Sequence, residues 1–403
     1  MEVEVDDKVG GFRLGSPASL PVLLPDDLVV ELLLRLPIKK VHQCNCVSKG
    51  WQSLIKSPEF VVAYKHRHPD VGLLVAVPGG PDQGGTYTAH FYYSTLVYYR
   101  PERFVLRFQL PWPRYNCDRF TEVIHGLVCF YNRDSLFVCN IFTKEVKPLP
   151  YCNNAIKYFF GYDAVNGVYK LLCFNLHSAQ VLTLGIGSDY VWKMVDDFDF
   201  PRKGTFLRAK LMPEARSFCF DGVMYWLVVK GISRWKSRCF LVSFDLNEKN
   251  FRYIKVPPGS TSQHLHSQCF VTFRGKLALS TPTRMGGYKL SLNVLEDAEN
   301  HVWTKHSVPL PEELDDKCAS CRIIIPVGNL PDGRMLLVNP QIKEEFATAI
   351  YSYDHQSCKF ERFRVGKFPF IDLVDVSESS ANISCAPENL AALDVLFSGA
   401  KPI

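Results

Sequence analysis

The segment FDLNEKNFRYIKVP, Phe244–Pro257, reads as a strand, a polar turn and a returning strand. Asp245 and Asn247 supply short polar side chains that bond their own backbone and tolerate a tight turn. Phe251 follows Asp245 by six residues and marks the start of the return. The same pattern surrounds Asn140, Asp189, Asp297 and Asp354, and successive positions lie 49, 56, 52 and 57 residues apart. Trp303 and Phe360 repeat the six-residue offset, whereas Trp192 stands only three residues after Asp189.

A second signal interleaves with the first. A glycine opens an alternating strand at Gly126, Gly167, Gly222, Gly275 and Gly333, at spacings of 41, 55, 53 and 58. Two signals with a shared period near 50 residues indicate structural repeats. Four short strands per ~50 residues is the period of a propeller blade, as in kelch repeats. Five units are evident, and Val71–Pro113 supplies a degenerate sixth. The paired glycines at Gly79-Gly80, Gly84-Gly85 and Gly286-Gly287 fall in loops, so the kelch double-glycine marker is absent.

Upstream the period changes. In LPDDLVVELLLRLPIKKVHQCNCVSKGWQSLIKSPEF, Leu24–Phe60, residues Leu28, Leu32, Leu33 and Leu36 recur at helical spacing. Pro25 suits a first helical turn, and Asp26, Asp27 and Glu31 complement the helix dipole. Leu36-Pro37 stops the helix, because a residue before proline avoids the α region. Val47, Trp51, Leu54 and Ile55 form a second stripe, and Ser57-Pro58 reads as a cap and first residue of a further helix. Val29, Val30 and Leu34 leave the first helix apolar nearly all round. Such a helix is buried on two sides or docks a second protein.

The expected fold is therefore α+β in two modules. A short N-terminal helical module spans 21–68, and an all-β, propeller-like domain of about six blades spans 69–375. Residues 1–20 read as a disordered lead-in, and 376–403 as a tail or a closing strand.

Composition agrees. The 403 residues are 47% hydrophobic and 22% charged, enough to bury a core. Aromatics at 13% favour strands. The net charge of +5 is mild and scattered, so no nucleic-acid partner is expected. The longest apolar run, VGLLVAVP at Val71–Pro78, falls far short of the ~20 residues of a membrane span. The acidic opening MEVEVDDKVGG is unlike a secretory signal. An intracellular protein, cytoplasmic or nuclear and free of membrane, is the expectation.

Chemistry is sparse. The chain has no phosphate-binding glycine loop, no nucleophile elbow and no zinc-protease helix motif. Among 14 cysteines, Cys318 and Cys321 together with His264, His266 and Cys269 provide enough ligands for zinc. No second Cys-x-x-Cys appears, and the favoured reading is of buried thiols and polar loop histidines. No metal, cofactor or catalytic residue is assigned.

LPDDLVVELLLRLP followed by VSKGWQSLIKSPEF resembles the F-box in its Leu-Pro opening, leucine stripe, Leu-Pro stop, tryptophan and closing Pro-x-Phe. His42 and Gly50 depart from the commoner pattern, and Gly50 softens its helix by up to ~1 kcal/mol relative to alanine. GLVCFYN, VCNIFTKEVKPLP, FGYDAVNGVYKLL, DGVMYWL and GKLALS are similar to successive markers of the F-box-associated domain of plant F-box proteins. The resemblance implies a non-catalytic substrate-recognition subunit of a Skp–cullin–F-box ubiquitin ligase. It assigns Leu24, Pro25, Leu28, Leu32, Leu36, Pro37, Val47 and Trp51 to the Skp-family adaptor interface or its support. Packing of the module on itself is the competing reading. Cullin is reached through the adaptor, and the propeller holds a protein target.

No motif fixes the target site. KGISRWKSR, Lys230–Arg238, sets Arg234 and Lys236 around Trp235, and arginine and tryptophan are favoured interface anchors. A solvated turn with a chance charge run is the alternative. PWPRYN (Pro111–Asn116) and TPTRMGG (Thr281–Gly287) are further candidates. Two other classes stay open: a propeller that binds a glycan or small ligand, and a propeller enzyme with a metal.

Overall fold

The computed structural model describes residues 25–68, 71–81, 87–95, 103–108, 119–132, 134–174, 178–185, 188–195, 217–230, 238–257, 269–281, 289–310, 325–330, 332–344, 347–364 and 382–387. The chain opens with α1 (Asp26–Leu34), α2 (Ile38–Cys44), α3 (Lys49–Lys56) and α4 (Pro58–Arg67). Ser48 Oγ accepts from Trp51 N–H at 3.1 Å and Ser57 Oγ from Phe60 N–H at 3.2 Å, so α3 and α4 each begin on a serine cap. Pro25 and Pro37 precede α1 and α2, which have no side-chain cap.

Six four-stranded antiparallel sheets follow, one per blade. Blade 1 contains β1 (Val71–Pro81), β2 (Tyr87–Thr95) and β3 (Arg103–Phe108). Blade 2 is β4 (Arg119–Phe120), β5 (Leu127–Tyr131), β6 (Leu136–Asn140) and β7 (Val146–Leu149). Blade 3 is β8 (Lys157–Asp163), β9 (Val168–Phe174), β10 (Ala179–Leu184) and β11 (Lys193–Met194). Blade 4 is β12 (Ser217–Phe220), β13 (Val223–Lys230), β14 (Arg238–Asp245) and β15 (Phe251–Lys255). Blade 5 is β16 (Cys269–Phe273), β17 (Lys276–Thr281), β18 (Lys289–Asp297) and β19 (Val302–Pro309). Blade 6 is β20 (Ile325–Asn329), β21 (Met335–Glu344), β22 (Ala347–Asp354) and β23 (Lys359–Arg364).

The last strand, β24 (Asn382–Pro387), returns to blade 1. It pairs antiparallel with β1, from Val71 opposite Pro387 to Ala76 opposite Asn382. The sheet domain thus reaches Pro387, within the segment read as a tail or closing strand. In the other five blades the first strand precedes the second directly in the chain. Blade 1 takes its first strand from the far end.

The two repeated signals are two kinds of turn. Between the first and second strands of blades 2, 4 and 5, consecutive residues take positive φ. They are His125 and Gly126 (49° and 76°), Asp221 and Gly222 (50° and 72°), and Arg274 and Gly275 (52° and 72°). This mirror-image turn matches the twist of a two-residue hairpin, and its second position suits glycine. Between the third and fourth strands, Asn140, Asp245, Asp297 and Asp354 accept backbone N–H groups two and three residues on. Four residues after each, Lys144, Lys249, His301 and Cys358 take left-handed φ and return the chain.

Blade 3 departs from this plan. Its double acceptor is Asp163, in the first hairpin, with Val165 N–H and Asn166 N–H both at 3.1 Å. Asp189 lacks the acceptance three residues on: it receives Val191 N–H at 3.4 Å and pairs with Lys193. Tyr190 takes the left-handed φ of 53° directly after it, and β11 is only two residues long.

Blades meet through apolar seams crossed by polar ties. Between blades 3 and 4, Trp226 is fully buried with Phe159 and Phe174 at ring distances of 4.9 and 5.4 Å. Beside them Lys170 Nζ donates to Asp163 Oδ2 at 2.7 Å and to the Leu246 carbonyl at 2.5 Å. Trp303 Nε1 donates to the Lys255 carbonyl and ties the last strand of blade 5 to blade 4, and Trp192 Nε1, just before β11, donates to the Pro150 carbonyl just after β7. Asn329 bonds both backbone groups of Thr272 across the seam of blades 5 and 6.

The Lys170–Asp163 pair is almost wholly buried. Burial raises the Asp163 carboxyl, but hydrogen bonds from Lys170 and Asn166 outweigh it and hold the group below its usual range. A lowered folded value contributes stability above the ordinary carboxylate range, and the contribution is lost as pH falls through the folded value. Asp163→Asn leaves the lysine charge buried without its partner and is expected to cost about 3 kcal/mol in denaturant unfolding at neutral pH. The same substitution flattens the fall of wild-type stability below about pH 4. Asp297→Ala, on an exposed turn, costs markedly less. Equal costs for the two substitutions would refute this account of the seam.

Candidate functional site

The first helix divides its apolar residues between two faces. Val29, Leu33 and Leu34 point inward with Ile38, Val41, Ile55, Phe60 and Tyr64, all buried. The same continuous apolar cluster includes Val123, Phe130, Ile141 and Phe142 of blade 2. Leu28 and Leu32 point outward, 52% and 51% exposed. They lie one turn apart and therefore neighbour each other on the helix surface. Val47, before α3, is 61% exposed. Pro25 and Pro37 are exposed as well.

This separates residues that the helical spacing placed on one stripe. Leu33 belongs to the core, and its neighbours there are Val29 and Leu34, which seemed off the stripe when the pattern was read alone. Leu36 and Trp51 are half-buried and pack against the core cluster. Of the eight residues assigned to the adaptor interface, Pro25, Leu28, Leu32, Pro37 and Val47 are outward-facing, and Leu36 and Trp51 buttress them from below. Leu24 lies outside the described residues.

Contacts from α4 hold the first helix at its C-terminal end. Tyr64 Oη donates to the Leu36 carbonyl at 3.0 Å, and the His68 ring Nε2 lies 2.8 Å from the Leu34 carbonyl. These carbonyls lie at a helix end, where intrahelical partners run out. The Tyr64 and His68 rings stack at 4.2 Å. Glu31 pairs with Arg35 at 2.8 Å and with Arg67 of α4 at 2.9 Å. The hydrogen bond from Arg35, with help from Arg67, holds the Glu31 carboxyl below its usual range. The pairs are exposed and serve orientation more than stability.

In the sheet domain, Lys230 ends β13 and faces Arg238 at the start of β14. The segment between them therefore joins the second and third strands of blade 4, at the sheet end opposite the glycine and Asx turns. Arg234, Trp235 and Lys236 lie outside the described residues, as do 111–116 and 282–287. So do His264, His266, Cys318, Cys321 and the Cys269 side chain. Among the described residues no group of histidine, cysteine or carboxylate side chains is placed to hold a metal. No described helix is long and apolar enough to cross a membrane.

One surface feature had no sequence signal. Tyr151, Val191 and Met194 are exposed around the Trp192–Pro150 bond at the seam of blades 2 and 3.

Comparison with known proteins matches residues 22–62 to the F-box domain and residues 85–385 to the F-box associated beta propeller domain. The Arabidopsis thaliana protein named "Putative F-box protein At3g10240" is 26% identical over 384 residues, covering 91% of this chain and 92% of the relative. "F-box protein At5g18160" of the same plant is 28% identical over 307 residues, covering 72% and 71%. Among solved structures, a chain of the nidogen/laminin complex aligns with 80% of this chain and 100% of its own length, at 9% identity and a TM-score of 0.41, too distant to bear on function. With both domains matched in order along one chain, this protein belongs to the F-box proteins that carry an F-box associated β-propeller domain.

Proposed function

We propose that this chain is the target-recognition subunit of a Skp–cullin–F-box ubiquitin ligase, acting in the cytoplasm or nucleus. The observation that carries the reading is the outward pair Leu28 and Leu32 on a helix whose other face is already covered by its own chain. Exposed leucines one turn apart, with Val47 also open, form the kind of surface a partner protein covers. Burying a leucine side chain fully is worth roughly 1.5–3 kcal/mol, so a few such residues anchor an interface.

The chain does no bond chemistry in this reading. The Skp-family adaptor binds the helical module and links it to cullin, while the propeller holds the target. Ubiquitin transfer to the target gains from raised effective concentration beside the charged conjugating enzyme. The 231–237 connection, with Arg234, Trp235 and Lys236, is the proposed target contact.

Leu28→Asp with Leu32→Asp is expected to reduce capture of a Skp-family adaptor at least tenfold in co-purification. The thermal unfolding profile of the full chain should be unchanged, because both side chains already face solvent. Undiminished capture by a folded double variant would sink the interface. Replacing Arg234, Trp235 and Lys236 together by alanine should leave adaptor capture intact and deplete the target from proximity labelling performed with the ligase blocked. An unaltered labelling profile would remove this connection as the target contact.

A further inference from the structure

A charged group shares the outward face of α1 with its two exposed leucines. Arg35 caps α1 with helical dihedrals, φ −92° and ψ −11°, so it continues the register of the helix. Leu28, Leu32 and Arg35 stand at i, i+4 and i+7, within about 60° of one another around the axis. The Arg35 side chain is 65% exposed. Glu31 flanks the same face, one position before Leu32.

Glu31 gathers arginines from two helices. Its Oε1 accepts from Arg35 Nε at 3.0 Å and Nη2 at 2.8 Å, and from Arg67 Nη2 of α4 at 2.9 Å. Arg67 is carried there by the contacts that hold α4 against the end of α1, from Tyr64 to the Leu36 carbonyl and from His68 to the Leu34 carbonyl. Two guanidinium charges thus share one carboxylate, and one positive charge is left in surplus beside Leu28 and Leu32. Each guanidinium has five N–H donors in a planar fork, and Glu31 engages only part of either. Side chains already held in place lose less freedom when a partner docks.

The whole module has the same sign. Residues 25–68 contain seven lysines and arginines against four carboxylates, a net +3 out of +5 for the chain. Lys49, two residues from the open Val47, and Lys40 are exposed, against exposed Asp27 and Glu59. Because the surplus adjoins uncovered leucines, it fits a protein surface that is acidic and apolar together. A nucleic-acid backbone would meet the arginines and leave the leucines wet.

We propose that Arg35 and Arg67 form a two-helix fork for carboxylates of the partner that covers Leu28 and Leu32. The proposal rests on the ligase reading and gives its adaptor a chemistry: an acidic patch beside an apolar one. Charges at the rim of an interface act chiefly on the rate of encounter and on its salt dependence, while the buried leucines set how long the complex lasts.

The test follows association of the full chain with a purified Skp-family adaptor as salt rises from about 50 mM to about 500 mM. The association rate is expected to fall about tenfold, with little change in dissociation. Arg35→Glu combined with Arg67→Glu is expected to cut the low-salt rate about tenfold and flatten its salt dependence, with the thermal unfolding profile unchanged. Glu31→Gln separates a docking fork from a brace between α1 and α4. Loss of a brace slows association, whereas removal of the competing carboxylate speeds it. Charge reversal of the adaptor's carboxylates, one at a time, should recover the rate of the doubly substituted chain at the position that meets the fork. Adaptor capture whose rate ignores both salt and the two arginines, or which slows in Glu31→Gln, overturns the fork and leaves the ligase reading standing. A wild-type chain that captures no adaptor at any salt overturns that reading and the fork with it. If the doubly substituted chain fails to fold, the wild-type salt series and Glu31→Gln decide.

Discussion

The antiparallel pairing of β24 with β1 is the constraint on which the sheet domain turns. Each blade is a four-stranded sheet with open edges, and a row of such sheets exposes apolar faces at both ends unless it closes. Here closure is a hydrogen-bonded ladder between Val71–Ala76 and Asn382–Pro387, two segments about 300 residues apart in sequence. Contacts of that separation form only after most of the chain is ordered, so blade 1 is the last blade that can be complete. The strand that receives the closure, β1, begins four residues after α4 ends. The helical module is therefore tethered next to the point where the propeller shuts, and it shares a buried cluster with blade 2.

The seams show how repeated units with divergent sequences still fit one another. Hydrophobic packing sets the spacing but carries little directional information, because apolar contacts are non-directional. Direction comes from side chains that reach across to a neighbour's backbone: Lys170 to the Leu246 carbonyl, Trp192 to Pro150, Trp303 to Lys255 and Asn329 to Thr272. Each satisfies a backbone group at a blade margin, where the sheet ladder supplies no partner. Two of these residues are tryptophans, Trp303 on a last strand and Trp192 just before one, and they stand at different offsets from their turns. Position in space was kept, and position in the repeat was not.

That difference explains what was legible in the sequence. The turns were, because an aspartate that accepts two N–H groups and a glycine at positive φ are local requirements that a few adjacent residues must meet. Asn140, Asp245, Asp297 and Asp354 meet them in the same way, so their spacing reported the period. Asp189 kept the spacing but not the six-residue aromatic offset, and there the structure breaks the turn. The faces of α1 were not legible to the same degree. Leu28, Leu32, Leu33 and Leu36 obey one helical period, and only the surrounding elements decide which of them is covered.

The two-faced helix also resolves a difficulty of scale. Four short helices in about 45 residues cannot bury enough surface to stand alone, and small domains of this kind need a neighbour. In this chain the neighbour is its own propeller: the inner face of α1 joins a cluster that continues into β5 and β6. Stability drawn from that side frees the outer face from any duty in folding. Leu28 and Leu32 can then stay in solvent, at the modest cost that scattered surface leucines carry, and remain available for a foreign subunit. A helix that needed both faces for its own stability would have to unpack before it could dock. This one has no such step, because the surface proposed for the adaptor is open while the core behind it is already complete.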